Sequence, residues 1–207
     1  MNLVVLGATG GTGRLVVEQA LAAGHTVTAL VRSPEKLAVR DPNLHVVAGQ
    51  ATDPLAVAGA LEGADALIST LGGGGSVISD STRAIVDAAH KAGVNRVVVL
   101  SSFLVERDRF SPVTRFLTGL AMGSMIKDKS AGEKALRESN LDWTIVYAST
   151  LTDGPSGGDV AVLTETGRWT LSQRIARADV AASLLRAATS PENTRRTISI
   201  TGQSVSK

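Results

Sequence analysis

The residues best suited to chemistry in this 207-residue chain stand near its beginning, where glycines recur at every third position in Gly7-Ala8-Thr9-Gly10-Gly11-Thr12-Gly13. Before them, Leu3–Leu6 is apolar and reads as a strand; after them, Gly13–Ala23 carries Leu15, Val16, Gln19 and Ala20 at helical spacing. Between a strand and a helix, residues without side chains let the chain turn sharply and bring backbone amides against a diphosphate at the helix N-terminus. The spacing is GxxGxxG, with Ala8 where another fingerprint has glycine, and no Gly-Lys-Ser/Thr follows, which excludes a Walker-type loop. Gly7, Thr9, Gly10, Gly11, Thr12 and Gly13 are therefore expected to hold the phosphates of a dinucleotide; the plain alternative is a structural turn.

Folds that select NAD place an acid at the end of the second strand, where it accepts from the ribose 2′-hydroxyl. This chain has Arg32, Ser33 and Lys36 there instead. A guanidinium forks onto a phosphate and stacks on adenine, so these residues point to NADP, against the alternative of a solvated arginine.

The elements that must position these groups alternate along the whole chain. Apolar runs at Leu3–Leu6, Thr26–Val31, Leu44–Ala48, Ala66–Thr70, Arg96–Ser101, Trp143–Ala148 and Thr197–Thr201 read as strands. Helical patterns lie between them, including Thr82–Ala92, and Gly24 and Gly93 stand where a left-handed helix stop is needed. The expected fold is α/β: one Rossmann-type domain over 1–207, a doubly wound parallel sheet in a three-layer αβα sandwich. Loops 71–80, 102–123 and 148–158 follow strand ends and should form the substrate crevice. Leu71, Gly72 and Gly73 offer bare backbone to the cofactor ribose and diphosphate. Phe103–Met122 holds every phenylalanine and reads as an apolar lid over a flat acceptor or as a dimer surface. Arg107, Arg109 and Arg115 nearby are candidates to attract acceptor anions.

In Gly7–Gly13, Ala29-Leu30-Val31-Arg32, Leu100-Ser101-Ser102, the stretch Glu133–Thr144 and Ile175-Ala176-Arg177-Ala178-Asp179-Val180-Ala181, the chain resembles the atypical short-chain dehydrogenases. Within that group it is most similar to the flavin reductase and biliverdin-IXβ reductase proteins, with NmrA-like proteins as cousins. The resemblance implies that Ser101 and Ser102 lie beside the nicotinamide and the acceptor, as catalytic candidates; local backbone capping is their alternative. It also implies that Ala148, Ser149 and Thr150 touch the nicotinamide, and that Gln50, with Ala51, stands where related proteins often place an aspartate near the adenine. Ordinary members use Tyr-x-x-x-Lys, whose phenol transfers the substrate proton. Here Lys129 aligns with the lysine, as a catalytic and ribose- or phosphate-binding candidate or else a solvated helix face, and Met125 stands at the tyrosine position. Without the phenol, hydride delivery to a conjugated system fits better than carbonyl reduction.

The expectation is an NADPH-dependent reductase for a flavin, a linear tetrapyrrole or a similar planar acceptor, with flavin as a possible substrate. Its alternative is a non-catalytic NADP sensor of NmrA type. A sugar-nucleotide epimerase would need the tyrosine and a larger C-terminal region. Net charge is only +2 and aromatics are 3%, which argues against nucleic acid. No cysteine is present, and no His with Asp or Glu has ligand spacing, so no metal is expected. Met1–Leu6 has no basic start, and no apolar run is long enough for a bilayer. A cytoplasmic monomer or loose homodimer, with no membrane partner, is the expected setting.

Overall fold

The computed structural model describes residues 1–154, 157, 159–164 and 167–202. Strand and helix alternate as β1 (Asn2–Leu6), α1 (Gly11–Ala22), β2 (Thr26–Val31), β3 (Leu44–Ala48), α2 (Pro54–Ala60), β4 (Ala66–Ser69), α3 (Val77–Ala92) and β5 (Arg96–Ser102). There follow α4 (Pro112–Glu138), β6 (Asp142–Ala148), β7 (Thr150–Thr152), β8 (Val160–Leu163), β9 (Arg174–Ala176), α5 (Arg177–Thr189) and β10 (Arg196–Gly202). One sheet holds eight of the strands in the order β3-β2-β1-β4-β5-β6-β10-β8. Its neighbours pair in parallel except β8, which runs antiparallel to β10 at one edge. The strand order reverses between β1 and β4, and in such sheets the ligand crevice opens there, above the carboxyl ends.

A strand buried on both faces must be apolar along its buried stretch, and β1 at Leu3–Leu6 and β5 at Val97–Leu100 are built so. Val4 and Leu6 face one helical layer while Leu3 and Val5 face the other. The same alternation sends Val97 and Val99 to the first layer and Val98 and Leu100 to the second. Helices α2, α3 and α4 cover the first face, and α1 and α5 the second. This is the αβα sandwich expected from the periodicity. Gly24 and Gly93 take positive φ values of 80° and 71°, as their helix-stop positions demand.

Three elements depart from the sequence expectation. β8 is short and solvent-facing at the edge, while β7 and β9 pair as a separate two-stranded ribbon. Three-residue runs such as Thr150–Thr152 and Arg174–Ala176 are too short to show a period, so their pairing is set by long-range contact. The larger departure is Phe103–Met122. Two 3-10 turns at Phe103–Val105 and Arg107–Arg109 lead into α4, whose first turns occupy the rest of the segment. Ser111 caps that helix from its side chain, and Pro112 fills the first helical position. A kink at Met122, φ −131° and ψ 17°, separates the two parts of α4.

The apolar lid of the sequence reading is therefore divided. Phe103 and Phe110 are buried against Trp169 and each other, with ring centroids 5.3 Å and 5.5 Å from Phe103. Phe116, Leu117 and Leu120 face solvent on α4. Arg109 is also committed to the core edge: it pairs with Glu106 at 2.9 Å, lies over Trp169 and donates to the Gly167 carbonyl. Arg115 pairs with Asp108, and Arg107 donates to the Arg115 carbonyl, so the three arginines stabilise this corner and do not line the crevice.

Candidate functional site

The glycine turn is shaped by contacts that leave no room for a side chain. Gly7 adopts φ 81°, and a Cβ there would lie 2.7 Å from Thr70 Oγ1. A Cβ on Gly13 would lie 2.1 Å from the Gly7 carbonyl oxygen, and the Gly10 amide donates to that same oxygen at 2.9 Å. Thr70, at the end of β4, donates to the carbonyls of Leu6 and Gly7 and so ties the turn to the neighbouring strand. Gly10 is the N-cap of α1 and supplies no side-chain cap, and no acidic residue stands in the first turn. The first amides of α1 therefore point outward with the positive end of the helix dipole and no side-chain acceptor.

Two cavities meet at this turn, sharing Gly10, Thr70, Leu71 and Gly72. The smaller, of about 270 Å³, runs over Gly7 and Thr9 to Arg32, Gln50 and Ala51. Arg32 stands exposed at the end of β2. Ser81 lines this cavity as well, and its buried hydroxyl has no hydrogen-bond partner among the described residues. An uncapped helix start, bare glycine backbone and a hydroxyl without a partner among the described residues together fit an adenine dinucleotide.

The larger cavity, of about 780 Å³, continues over Gly11 and Thr12 to Ser101, Ser102, Lys129, Ala148, Ser149 and Thr150. Phe103, Leu104, Met122, Leu151 and Leu171 make most of its walls apolar. Ser101 and Ser102 end β5 side by side but offer different chemistry. The Ser101 hydroxyl donates to Glu133 Oε1 at 2.5 Å, which leaves its lone pairs for the cavity. Ser102 accepts from the Leu104 amide at 3.3 Å, and its own proton has no acceptor among the described residues. Ser149 is taken up by Thr201, to which it donates at 3.0 Å.

Beneath Ser101 lies a buried carboxylate, Glu133, with the partly exposed Arg137 beside it. Glu133 accepts from Ser101 and from the Tyr147 hydroxyl, and Arg137 reaches it at 3.2 Å while donating to Tyr147 at 2.8 Å. Burial beside this carboxylate pushes the Tyr147 phenol far up, so it stays protonated. Tyr147 is buried in β6 and does not line the cavity, and so does not replace the missing phenol. Met125 stands on α4 at the tyrosine position and packs into the core.

Lys129 lines the cavity one helical turn before Glu133. Burial pushes its ammonium below the usual lysine range, against the raising pull of Glu133 and Asp128. Asp128 is held in turn by the start of α3, where its carboxylate accepts from the amides of Ile78 and Ser79 at 2.9 Å and 3.0 Å. Burial alone would raise its pKa, but the bonds from Ser79 and Ile78, with Lys129 adjacent, hold it below the usual carboxylate range.

Most residues singled out in the sequence thus meet in one crevice. Ser33, Lys36 and Gly73 do not line either cavity. Ser33 precedes the exposed 3-10 turn Pro34–Lys36, and Gly73 packs toward Val77. Gly13 lies beneath the turn and acts by making room. Loop 148–158 contributes Ala148–Leu151; its residues 155, 156 and 158 lie outside the described residues. Sequence reasoning did not place Thr70, Glu133, Leu171, Arg177 or the orphaned Ser81 in the site. A signal existed for Glu133: Lys129, Glu133 and Arg137 recur every four residues, which puts them on one helix face.

Among solved structures, the chain is similar to a short-chain dehydrogenase/reductase of Veillonella parvula in complex with NADP, at TM-score 0.84 and 19% identity over 99% of this chain and 95% of that one. ChuY, an anaerobillin reductase of Escherichia coli O157:H7, superposes at TM-score 0.81 with 27% identity over the whole of both chains. In sequence, the chain is 34% identical to a (4-alkanoyl-5-oxo-2,5-dihydrofuran-3-yl)methyl phosphate reductase of Streptomyces griseus over 152 residues, 72% of this chain and 47% of the relative. It is 29% identical to the photosystem II assembly factor Ycf39 of Synechocystis over 98% of this chain and 63% of that protein. The chain thus spans about half to two thirds of the length of these two curated relatives. Among the described residues no helix is long and apolar enough to cross a membrane. The pattern of the NAD(P)H-binding family matches residues 7–191, which include the turn and both cavities, and the chain belongs to that family, as the resemblance to atypical short-chain dehydrogenases implied.

Proposed function

We propose that this chain is an NADPH-dependent reductase that passes hydride to a planar conjugated acceptor such as a flavin, a linear tetrapyrrole or a quinone. The observation that carries the reading is the larger cavity, which continues the dinucleotide crevice, is walled by apolar side chains and ends on Ser101, Ser102 and Lys129 with no phenol. When bound, NADPH supplies the hydride; the chain supplies alignment and a dry wall. Ser101, its proton held by Glu133, presents an acceptor suited to the amide N–H of a nicotinamide carboxamide. Ser102 keeps a free proton to donate to the acceptor molecule. Lys129 hydrogen-bonds the ribose or steadies charge that develops on the acceptor. Arg32 takes the 2′-phosphate, with Gln50 and Ala51 against the adenine. A flat apolar acceptor needs no dedicated acid at its far end, because solvent reaches it through the open crevice. The cysteine-free composition is consistent with work in the cytoplasm, as a monomer or loose homodimer.

The reading is supported by the reductases among the relatives, and tempered by Ycf39, named as an assembly factor. That name favours the second reading, a protein that binds NADP and signals its presence to a partner, and the missing phenol fits both readings. The two separate on one assay: oxidation of NADPH, followed by its near-ultraviolet absorbance, with FMN, FAD, riboflavin, biliverdin and simple quinones. Turnover with a planar acceptor is the expected result. Tight binding of NADPH without turnover on any of them would replace the reductase with the sensor.

A further inference from the structure

The N-terminus of α1 has a second wall, and it comes from the far end of the chain. Arg177 opens α5, and its side chain crosses the start of α1: a Cβ built on Gly11 would lie 3.0 Å from Arg177 Cδ and 3.1 Å from Nε. Gly11 therefore clears space for a guanidinium stem as well as for a ligand. Among the described residues, Arg177 and Lys129 are the two cations that line the larger cavity. At its outer end Arg177 pairs with Asp153 at 2.6 Å, but the Asp153 side chain is 93% exposed. A solvated carboxylate is a weak partner, since water screens the pair and competes for both ends. The arginine side chain itself is only 28% exposed and lies across amides that have no side-chain acceptor.

We propose that Arg177 holds the diphosphate of the dinucleotide from the face opposite the α1 amides, exchanging Asp153 for the ligand as it binds. The inference rests on dinucleotide binding and not on the reductase chemistry. A guanidinium fork matches two phosphate oxygens at once, and the diphosphate would carry charge into a place where the helix dipole already favours it. The exchange trades a screened, exposed partner for one clamped between the fork and the backbone. Asp153 then competes with the ligand for the guanidinium.

The role separates cleanly from that of Arg32, because the diphosphate is common to both nicotinamide dinucleotides and the 2′-phosphate is not. By calorimetric titration of the full chain, Arg177→Ala is expected to raise the Kd of NADPH and of NADH by the same factor, about tenfold for one lost charge-assisted contact. It should leave unchanged the Kd of adenosine 2′-monophosphate, which has the 2′-phosphate but nothing at the diphosphate position. Arg32→Ala should show the reverse, weakening NADPH and adenosine 2′-monophosphate while sparing NADH. Arg177→Lys, which keeps the charge without the fork, should fall between wild type and Arg177→Ala, and Asp153→Ala should tighten both dinucleotides by removing the competing carboxylate. Unchanged dinucleotide affinity in Arg177→Ala, or an equal loss for adenosine 2′-monophosphate, would overturn the assignment. A wild-type chain that bound neither dinucleotide would instead overturn dinucleotide binding itself, and with it this inference.

Discussion

Around Gly7–Gly13 the crevice is made of backbone, whereas around Ser101 it is made of side chains. The first region spans seven consecutive residues and depends on atoms that are absent, since a Cβ on Gly7 or Gly13 would collide with Thr70 or with the turn itself. The second draws Ser101 from β5, Glu133 and Arg137 from α4 and Tyr147 from β6, and depends on each donor meeting its acceptor. A backbone cradle is indifferent to the chemistry of the ligand beyond its phosphates, which suits a cofactor shared across many reactions. A side-chain floor can be altered residue by residue, which suits the part that must recognise an acceptor. Damage to the two regions should therefore look different: loss of affinity in the first, loss of stability in the second.

The strongest test is Glu133→Ala. Glu133 is 4% exposed and holds three donors, and removing it strands Ser101 and Tyr147 and deprives Arg137 of its anion. Stranding two buried hydroxyl donors, and taking the anion from a partly exposed Arg137, costs about 3 kcal/mol in all. Urea unfolding should show a lower midpoint with an unchanged slope. A cost below about 1 kcal/mol would mean that the cluster does not organise the floor of the cavity.

Gly13→Ala probes the other region. The new methyl would lie 2.1 Å from the Gly7 carbonyl and 2.6 Å from Thr70 Oγ1, so the turn must open. Overpacking of this kind costs about 1–3 kcal/mol of stability, but the larger relative effect should be on binding. Displacing the α1 amides is expected to raise the Kd of NADPH about a hundredfold, equivalent to about 2.7 kcal/mol at 25 °C. If Glu133→Ala weakened NADPH as much as Gly13→Ala does, the division between a backbone cradle and a side-chain floor would fail.

The same division explains what could be read from the sequence. Glycines, a strand and a helix within the first 23 residues carry their own geometry, so the turn, the sheet and the helix stops at Gly24 and Gly93 were legible. Arg32 was legible because its place is fixed by the end of β2. Arg177 was not, because 166 positions separate it from Gly11 and only the packing of α5 on α1 brings them together. Phe103–Met122 was legible only in part, for a related reason. Its phenylalanines look like one apolar set, yet Ser111-Pro112 starts a helix between them, leaving Phe103 and Phe110 in the core and Phe116 on the surface. Ser33 and Lys36 follow Arg32 in sequence, but Pro34 opens a 3-10 turn that takes them out of the cavity lining.

The mildest test, Tyr147→Phe, isolates one proton within the floor. At neutral pH the variant loses a hydroxyl that donates to Glu133 and accepts from Arg137, while Glu133 keeps Ser101 and Arg137, so the cost should be about 1 kcal/mol. Its distinctive effect lies in base. Burial, then the adjacent Glu133 carboxylate, raise the folded phenol above the unfolded value of about 10, so the folded state holds its proton longer than the unfolded one. The stability this proton contributes is whole below about pH 10 and is lost as pH rises from there through the folded pKa. Wild type should therefore lose stability above about pH 10 more steeply than Tyr147→Phe, and the two unfolding curves should converge. Parallel alkaline curves would show that Tyr147 is not held protonated by its neighbours, and that the floor beneath Ser101 is looser than its hydrogen bonds imply.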